Sequence, residues 1–185
     1  MDPTDAIRWP DLRVSALFAG RLARDIDAFA PTHIVSLIDP DLEDHRRPVL
    51  PPRAKAIQRA FWDVDHDQHL AANAETVAVL IEFLAEPAAD PDARLLVHCH
   101  MGVSRSTATA YTALAMAAGP GREAAAFDRL LAVTNKPWPN GRVVALADAA
   151  LARGGAMVAA LEGYRAANQR RLHAYRRLNR RRGFY

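Results

Sequence analysis

The pattern of apolar and polar positions predicts alternating strands and helices in the first half of the chain. Apolar or β-branched runs of strand length predict β-strands at residues 14–18, 33–38, 56–62 and 95–97. Apolar residues at spacings of three and four predict helices at residues 21–29 and 70–84. This order favours an α/β fold with a small, mostly parallel central sheet flanked by helices.

The second half of the chain is predicted to be mostly helical. An alanine-rich helix ends near residue 118, further helices span 122–133 and 140–152, and a long helix runs from about residue 155 into the arginine-rich end. Two Xaa-Pro pairs, at residues 86–87 and 90–91, are predicted to close the helix that begins at residue 70.

Charge is distributed unevenly along the 185 residues. Residues 163–185 contain eight arginines and no acidic residue, and the 21 acidic residues all lie before them. We therefore expect one domain at 1–162 and a basic helical extension at 163–185, which packs on its own domain or a second subunit or contacts an acidic partner. We expect no stable association with nucleic acid or membrane.

The sequence indicates a soluble, cytoplasmic protein. No apolar run reaches the roughly 18 residues that a membrane-spanning helix needs, and the N-terminus lacks the basic start and apolar stretch of a secretion signal.

The single cysteine, Cys99, is either a small buried apolar side chain or a reactive thiol. It lies between a predicted strand and a predicted helix, where backbone N–H groups and the positive end of the helix dipole converge. Such a loop can hold an anion of phosphate size and favours the thiolate. Gly102 provides backbone freedom, and Arg105 can bind two phosphate oxygens. The predicted phosphate-binding residues are His100, Met101, Gly102, Val103, Ser104 and Arg105.

Residues 97–106, Val-His-Cys-His-Met-Gly-Val-Ser-Arg-Ser, resemble the Cys-X5-Arg signature loop of the protein tyrosine phosphatases. The resemblance is closest to the dual-specificity branch and its small bacterial members, and it extends over about residues 12–152. It implies the fold of that superfamily and hydrolysis of phosphorylated proteins, above all phosphotyrosine, through a phosphocysteine at Cys99 with Arg105 as the phosphate clamp. No cofactor is implied.

Three residues are predicted to support the signature loop. His98 helps to position it, and Ser106 can donate a hydrogen bond to the cysteine sulfur. Asn140 lies in a Trp-Pro-Asn segment that resembles the family's Pro-Asn segment, whose asparagine supports the signature loop; it is also a favourable helix N-cap.

A phosphate ester needs an acid to protonate its leaving oxygen. The resemblance implies that this acid follows a strand upstream of the signature loop, where Asp63, Asp65 and Asp67 are candidates. Asp63 is favoured because it directly follows the predicted strand. Its long spacing to Cys99 is attributed to an insertion at residues 86–91. Asp67 fits the spacing better but lies almost on the next helix.

Alternative functions stay open. The chain could be a non-catalytic phosphate-binding module, or a phosphatase of a phosphoinositide or of RNA 5′-phosphate. The absence of lysine within the signature loop argues against inositol headgroups. His66, His69 and His100 match no standard set of metal ligands, so no metal site is predicted.

Overall fold

The computed structural model describes residues 7–181, which form a four-stranded sheet and seven α-helices. The strands are β1 (Asp11–Ala16), β2 (His33–Ile38), β3 (Lys55–Ala60) and β4 (Arg94–Cys99). The helices are α1 (Arg21–Phe29), α2 (Ala74–Ala89), α3 (Arg105–Ala118), α4 (Glu123–Val133), α5 (Gly141–Ala150), α6 (Ala156–Ala167) and α7 (Gln169–Arg181). The predicted α/β class is confirmed.

The sheet has the order β1-β4-β2-β3, and every neighbouring pair is parallel. Strands β4 and β2 occupy the centre, and their side chains are mostly apolar and, except for Arg94, buried. Val35 of β2 lies between Val97 of β4 and Ile57 of β3. All four strands therefore end at the same edge of the sheet.

Helices cover both faces of the sheet. On one face, α1 packs through Leu22, Ile26 and Phe29. On the other face, α3 is buried along most of its length and contacts α2, α4 and α5. Small alanine side chains on α3 let these three helices approach it closely, so the N-terminus of α3 is held rigidly against the end of β4.

The predicted start of the second helix and its predicted closure at Pro87 are both wrong. Helix α2 begins at Ala74, not residue 70, because the side chain of Asn73 caps it by accepting a hydrogen bond from the Thr76 N–H at 2.8 Å. Leu70 lies outside the helix with a φ of 60°. Pro87 does not close α2 but lies in its last turn, where it removes only one helical hydrogen bond and is itself buried.

The long C-terminal helix is also interrupted. Helix α6 ends at Ala167, and α7 begins at Gln169 after Asn168, whose backbone leaves the helical conformation. The Asn168 side chain donates to the carbonyl of Tyr164 at 2.8 Å, which competes with the helical backbone pattern. The predicted domain boundary at residues 162 and 163 falls inside α6. Within residues 7–181, no helix is long and apolar enough to cross a bilayer.

Candidate active site

The carboxyl ends of three neighbouring strands bring the site residues together. Strand β2 is followed directly by Asp39, β3 is followed by the segment containing Asp63, and β4 ends at Cys99. In a parallel sheet these ends share one edge, which is where ligands of such folds bind. Residues about 60 positions apart in sequence therefore face one another.

Cys99 is buried at this edge, at the end of β4, with only 1% of its surface exposed. Its Sγ atom is 3.3 Å from the Gly102 nitrogen, whose N–H donates to it, and 3.1 Å from Ser106 Oγ. Both contacts stabilise a negative charge on sulfur when they donate to it. The loop residues His100 to Ser104 are half-buried around the sulfur.

Gly102 is required by the shape of the loop. Its φ is +69°, a left-handed conformation that other residues rarely adopt. A Cβ atom at this position would lie 2.7 Å from the carbonyl oxygen of Ser15 in β1. The loop can turn back toward the sulfur only because this residue has no side chain.

The signature loop is also fixed from both sides by backbone hydrogen bonds. The N–H of Leu17 donates to the carbonyl of Cys99 at 2.9 Å, and the N–H of Trp138 donates to the carbonyl of Val103 at 2.9 Å. The Trp-Pro-Asn segment thus lies beside the signature loop, where the family resemblance implies it should be.

The Arg105 side chain is the largest buried polar group of the site, with 2% of it exposed. Its NH1 nitrogen donates to the carbonyls of Ile38 and Phe61 at 3.0 and 2.6 Å, and its NH2 nitrogen pairs with Asp39 Oδ1 at 2.6 Å. The buried Nε has no hydrogen-bond partner among the described residues. A buried donor of this kind needs an acceptor, and a phosphate oxygen above the loop would supply one.

Asp39 is a site residue that the sequence analysis missed. Its Oδ2 lies 3.5 Å from Nδ1 of His100, while its other oxygen binds Arg105. The sequence did contain a signal, because Asp39 directly follows a buried central strand and the ends of parallel strands converge. That rule identifies the edge, but the pairing with Arg105 depends on side-chain directions that only the fold decides.

Asp63 faces the signature loop. Its Oδ1 accepts hydrogen bonds from Ser104 Oγ at 2.6 Å and from Asn140 Nδ2 at 2.9 Å, and its Oδ2 is 3.7 Å from Nε of Arg105. Since both hydrogen bonds are made to Oδ1, Oδ2 is the oxygen that faces Nε of Arg105.

The other two candidate acids point elsewhere. Asp65 accepts from the Gly141 N–H at 2.7 Å and pairs with Arg165 at 2.9 Å, and Asp67 pairs with Arg142 at 2.6 Å. Each of the three aspartates therefore has a different arginine as its neighbour. This arrangement favours Asp63 as the acid, which stays a prediction.

Asn140 links the signature loop to the acid segment. Its Nδ2 donates to both Asp63 and the Val64 carbonyl, and its Oδ1 caps α5 by accepting from the Val143 N–H at 2.9 Å. Different atoms of its amide thus cap α5 and hold the acid segment, and its backbone N–H donates to the carbonyl of Ser104 in the signature loop at 3.3 Å. Its role in supporting that loop stays a prediction.

His98 lies beneath the loop and is fully buried. The sheet register places it between Ser15 of β1 and Ser36 of β2. Burial lowers its pKa to about 4, and the charge of Arg105 acts in the same direction. The ring is therefore neutral at pH 7 and adds no charge to the site. Among the described residues, no group of three His, Cys, Asp or Glu side chains could hold a metal ion.

This chain has the fold of the cysteine-based protein tyrosine phosphatases, in the form found in dual-specificity phosphatases. No protein-family model and no curated protein matches the sequence.

The solved structures similar to this chain include human DUSP28, with 18% identity over 87% of this chain and 98% of that chain at a TM-score of 0.53. DUSP15 has 16% identity over 89% and 95% of the two chains at a TM-score of 0.56. The Yvh1 phosphatase domain from Chaetomium thermophilum has 22% identity over 80% and 94% at a TM-score of 0.50. At these identities the similarity shows the fold.

Proposed function

We propose that this chain is a cysteine-dependent phosphomonoester hydrolase. The observation that carries the proposal is the buried Nε of Arg105, which has no hydrogen-bond partner among the described residues and lies 3.7 Å from the Oδ2 atom of Asp63. An acceptor with several oxygens fits this position, and a phosphoryl group above Cys99 would provide it.

In the first step, the Cys99 thiolate attacks phosphorus in line with the leaving oxygen. The S–P bond forms as the P–O bond to the leaving group breaks, and Asp63 transfers its proton to that oxygen. Arg105 and the loop amides bind the remaining phosphoryl oxygens, whose charge they stabilise in the transition state. Asp39 holds the guanidinium in place through its NH2 nitrogen, at 2.6 Å.

In the second step, water attacks the phosphocysteine. Asp63, now a carboxylate, accepts a proton from the water, the new P–O bond forms and the S–P bond breaks. The contact of 3.1 Å between Ser106 Oγ and the sulfur lets the hydroxyl stabilise the departing thiolate. The products are inorganic phosphate and the enzyme with its thiolate restored.

We propose a phosphorylated protein as substrate, with phosphotyrosine first and phosphoserine or phosphothreonine next. The similarity to DUSP28 and DUSP15 supports this class, as does a signature loop without lysine. Initial rates on phosphotyrosine, phosphoserine and phosphothreonine peptides, on phosphoinositides and on RNA 5′-phosphates test it. Preference for either non-protein substrate would contradict it.

The test of the reaction is Cys99→Ser, because a hydroxyl is a far weaker nucleophile than a thiolate. Hydrolysis of p-nitrophenyl phosphate should vanish, while vanadate binding should persist because the loop amides and Arg105 are unchanged. Acid quenching of the unaltered enzyme during turnover should trap a phosphate on Cys99, detected by mass spectrometry of the peptide. Full activity of the serine variant would contradict the mechanism.

A further inference from the structure

Arg165, in helix α6, makes contact with two segments of the candidate site at once. Its NH2 nitrogen donates to Oδ2 of Asp65 at 2.9 Å and to the carbonyl of Pro139 at 2.8 Å. Its guanidinium carbon lies 5.5 Å from the centre of the Trp138 ring, and its side chain is 17% exposed. A planar guanidinium can make all of these contacts together because its donors diverge in one plane.

The acid segment is anchored next to this arginine. Oδ1 of Asp65 accepts from the N–H of Gly141, so one carboxylate bridges α5 and Arg165. A Cβ atom on Gly141 would lie 2.9 Å from NH1 of Arg165, so the absence of a side chain there permits the close approach. The Asp65 carboxylate, the Gly141 backbone and the Arg165 guanidinium are therefore packed closely together.

Asp63 and Asp65 lie in the same short segment, with only Val64 between them. Asp63 is held by the side chain of Asn140 and Asp65 by the backbone of Gly141, the next residue. A shift of Asp65 away from Gly141 would carry Asp63 with it, because only one residue separates them. Arg165 pairs with the Asp65 carboxylate at 2.9 Å and so holds it beside Gly141.

We propose that Arg165 is a positioning residue, which holds the general acid Asp63 against the signature loop by clamping Asp65 to the Trp-Pro-Asn segment. This inference rests on the proposed function for the role of Asp63. It assigns a task to the basic C-terminal extension, in which Arg165 lies: the extension completes the acid side of the site.

The test compares two esters whose leaving groups differ in their need for a proton. A displaced general acid should slow only the ester that needs one, whereas a distorted active site should slow both. A phenolate from phenyl phosphate leaves poorly and needs a proton, whereas the anion from 2,4-dinitrophenyl phosphate leaves without one. The ratio kcat/KM reports the first step alone, before the phosphocysteine that both esters share, so for Arg165→Ala and Asp65→Asn we expect kcat/KM to fall roughly 10- to 100-fold with phenyl phosphate. With 2,4-dinitrophenyl phosphate we expect a loss of about twofold. Arg165→Lys should fall between, since it keeps the charge but not the fork.

The matched control is Arg170→Ala, which removes an exposed arginine from α7. Its rates on both substrates should equal those of the unaltered enzyme. Equal losses on both substrates in Arg165→Ala, or no loss on either, would overturn the proposal.

Amide hydrogen exchange tests, without any measurement of catalysis, whether Arg165 holds the acid segment in place. In Arg165→Ala, exchange in residues 62–68 should accelerate about tenfold or more relative to Arg170→Ala, while exchange in β4 stays the same. Unchanged exchange in residues 62–68 would overturn the clamp even if the protein hydrolysed neither ester. Failure of the unaltered protein on both esters, with accelerated exchange in the variant, would contradict the proposed function and leave the clamp supported.

Discussion

The signature loop and the acid segment, residues 61–67, face each other but are held in place differently. The loop from Cys99 to Arg105 is one short stretch between a buried strand and a buried helix, and its sulfur contacts come from Gly102 and Ser106 within it or next to it. The acid segment is mostly exposed, and its carboxylates are held by residues 41 to 100 positions away in sequence. The hydrogen bonds to the sulfur are therefore local in sequence, whereas the contacts that hold the acid are tertiary.

This difference has a consequence for catalysis. Damage to the signature loop should slow every phosphate ester, because all of them need the thiolate and the phosphate-binding groups. Damage to the acid segment should slow esters in proportion to how poorly their oxygen leaves. The leaving group thus reports which of the two regions a substitution has affected.

The largest expected effect comes from Asp63→Asn. An amide cannot supply the proton, so kcat/KM with phenyl phosphate should fall about 1000-fold, with a much smaller loss of kcat/KM on 2,4-dinitrophenyl phosphate. Steady-state kinetics on both esters measure this. Asp67→Asn is the control, because its exposed pair with Arg142 contributes little, and we expect a change of about twofold or less. A larger loss in Asp67→Asn than in Asp63→Asn would assign the acid to Asp67.

Gly102→Ala should damage the other region. The added Cβ would approach the Ser15 carbonyl at 2.7 Å, so the loop must move away from the sulfur. We expect a loss of about 100-fold on both esters alike.

Gly119→Ala controls for backbone strain. Gly119 also has a positive φ, but a Cβ atom there would meet no atom within 4 Å beyond its own helix and chain neighbours. Both variants should lose about 1–2 kcal/mol of unfolding free energy, measured by urea denaturation. Only Gly102→Ala should lose activity. A loss confined to phenyl phosphate would contradict the assignment of Gly102 to the nucleophile region.

Asp39→Asn should have a moderate effect. The variant replaces the carboxylate that pairs with NH2 of Arg105 by a neutral amide, so the guanidinium is less firmly oriented. We expect vanadate to bind about tenfold more weakly, measured by competitive inhibition. The inhibition constant of vanadate should rise by the same factor whichever of the two esters is the substrate. Asp41→Asn, an exposed neighbour, is the matched control and should bind vanadate normally.

The smallest expected effect concerns pH and stability. The pKa of His98 is lowered from 6.5 to about 4 by burial, so the unfolded chain binds its proton more readily than the folded protein. The contribution of His98 to the free energy of unfolding is therefore fully present above pH 6.5 and is lost as the pH falls toward 4. Between pH 7.5 and 5.5 the free energy of unfolding should fall by about 1 kcal/mol from His98 alone.

Urea denaturation of the unaltered protein and of His98→Gln across that range measures this contribution. The variant should show a correspondingly shallower pH dependence. His66→Gln, at an exposed position, should keep the original one. An identical slope in all three proteins would contradict the lowered pKa.

The sequence by itself determined the features that depend on local spacing. The bounds of α1 and β2 follow from apolar periodicity and agree with the structure. The loop from Cys99 to Arg105 is contiguous, so its residue types and the flanking strand and helix could be read directly. Asn140 was found from the resemblance of its short segment to the family's Pro-Asn segment, and its helix cap is a local property as well.

Only the tertiary structure decided which distant groups meet this loop. Sequence spacing left three aspartates open, and it missed Asp39 and Arg165 entirely. Asp39 and Asp63 reach Arg105 because parallel strands end at one edge, and Arg165 reaches Asp65 across 100 residues because α6 packs beside α5. Side-chain direction and helix packing are set by the whole core, so no local pattern encodes these pairings.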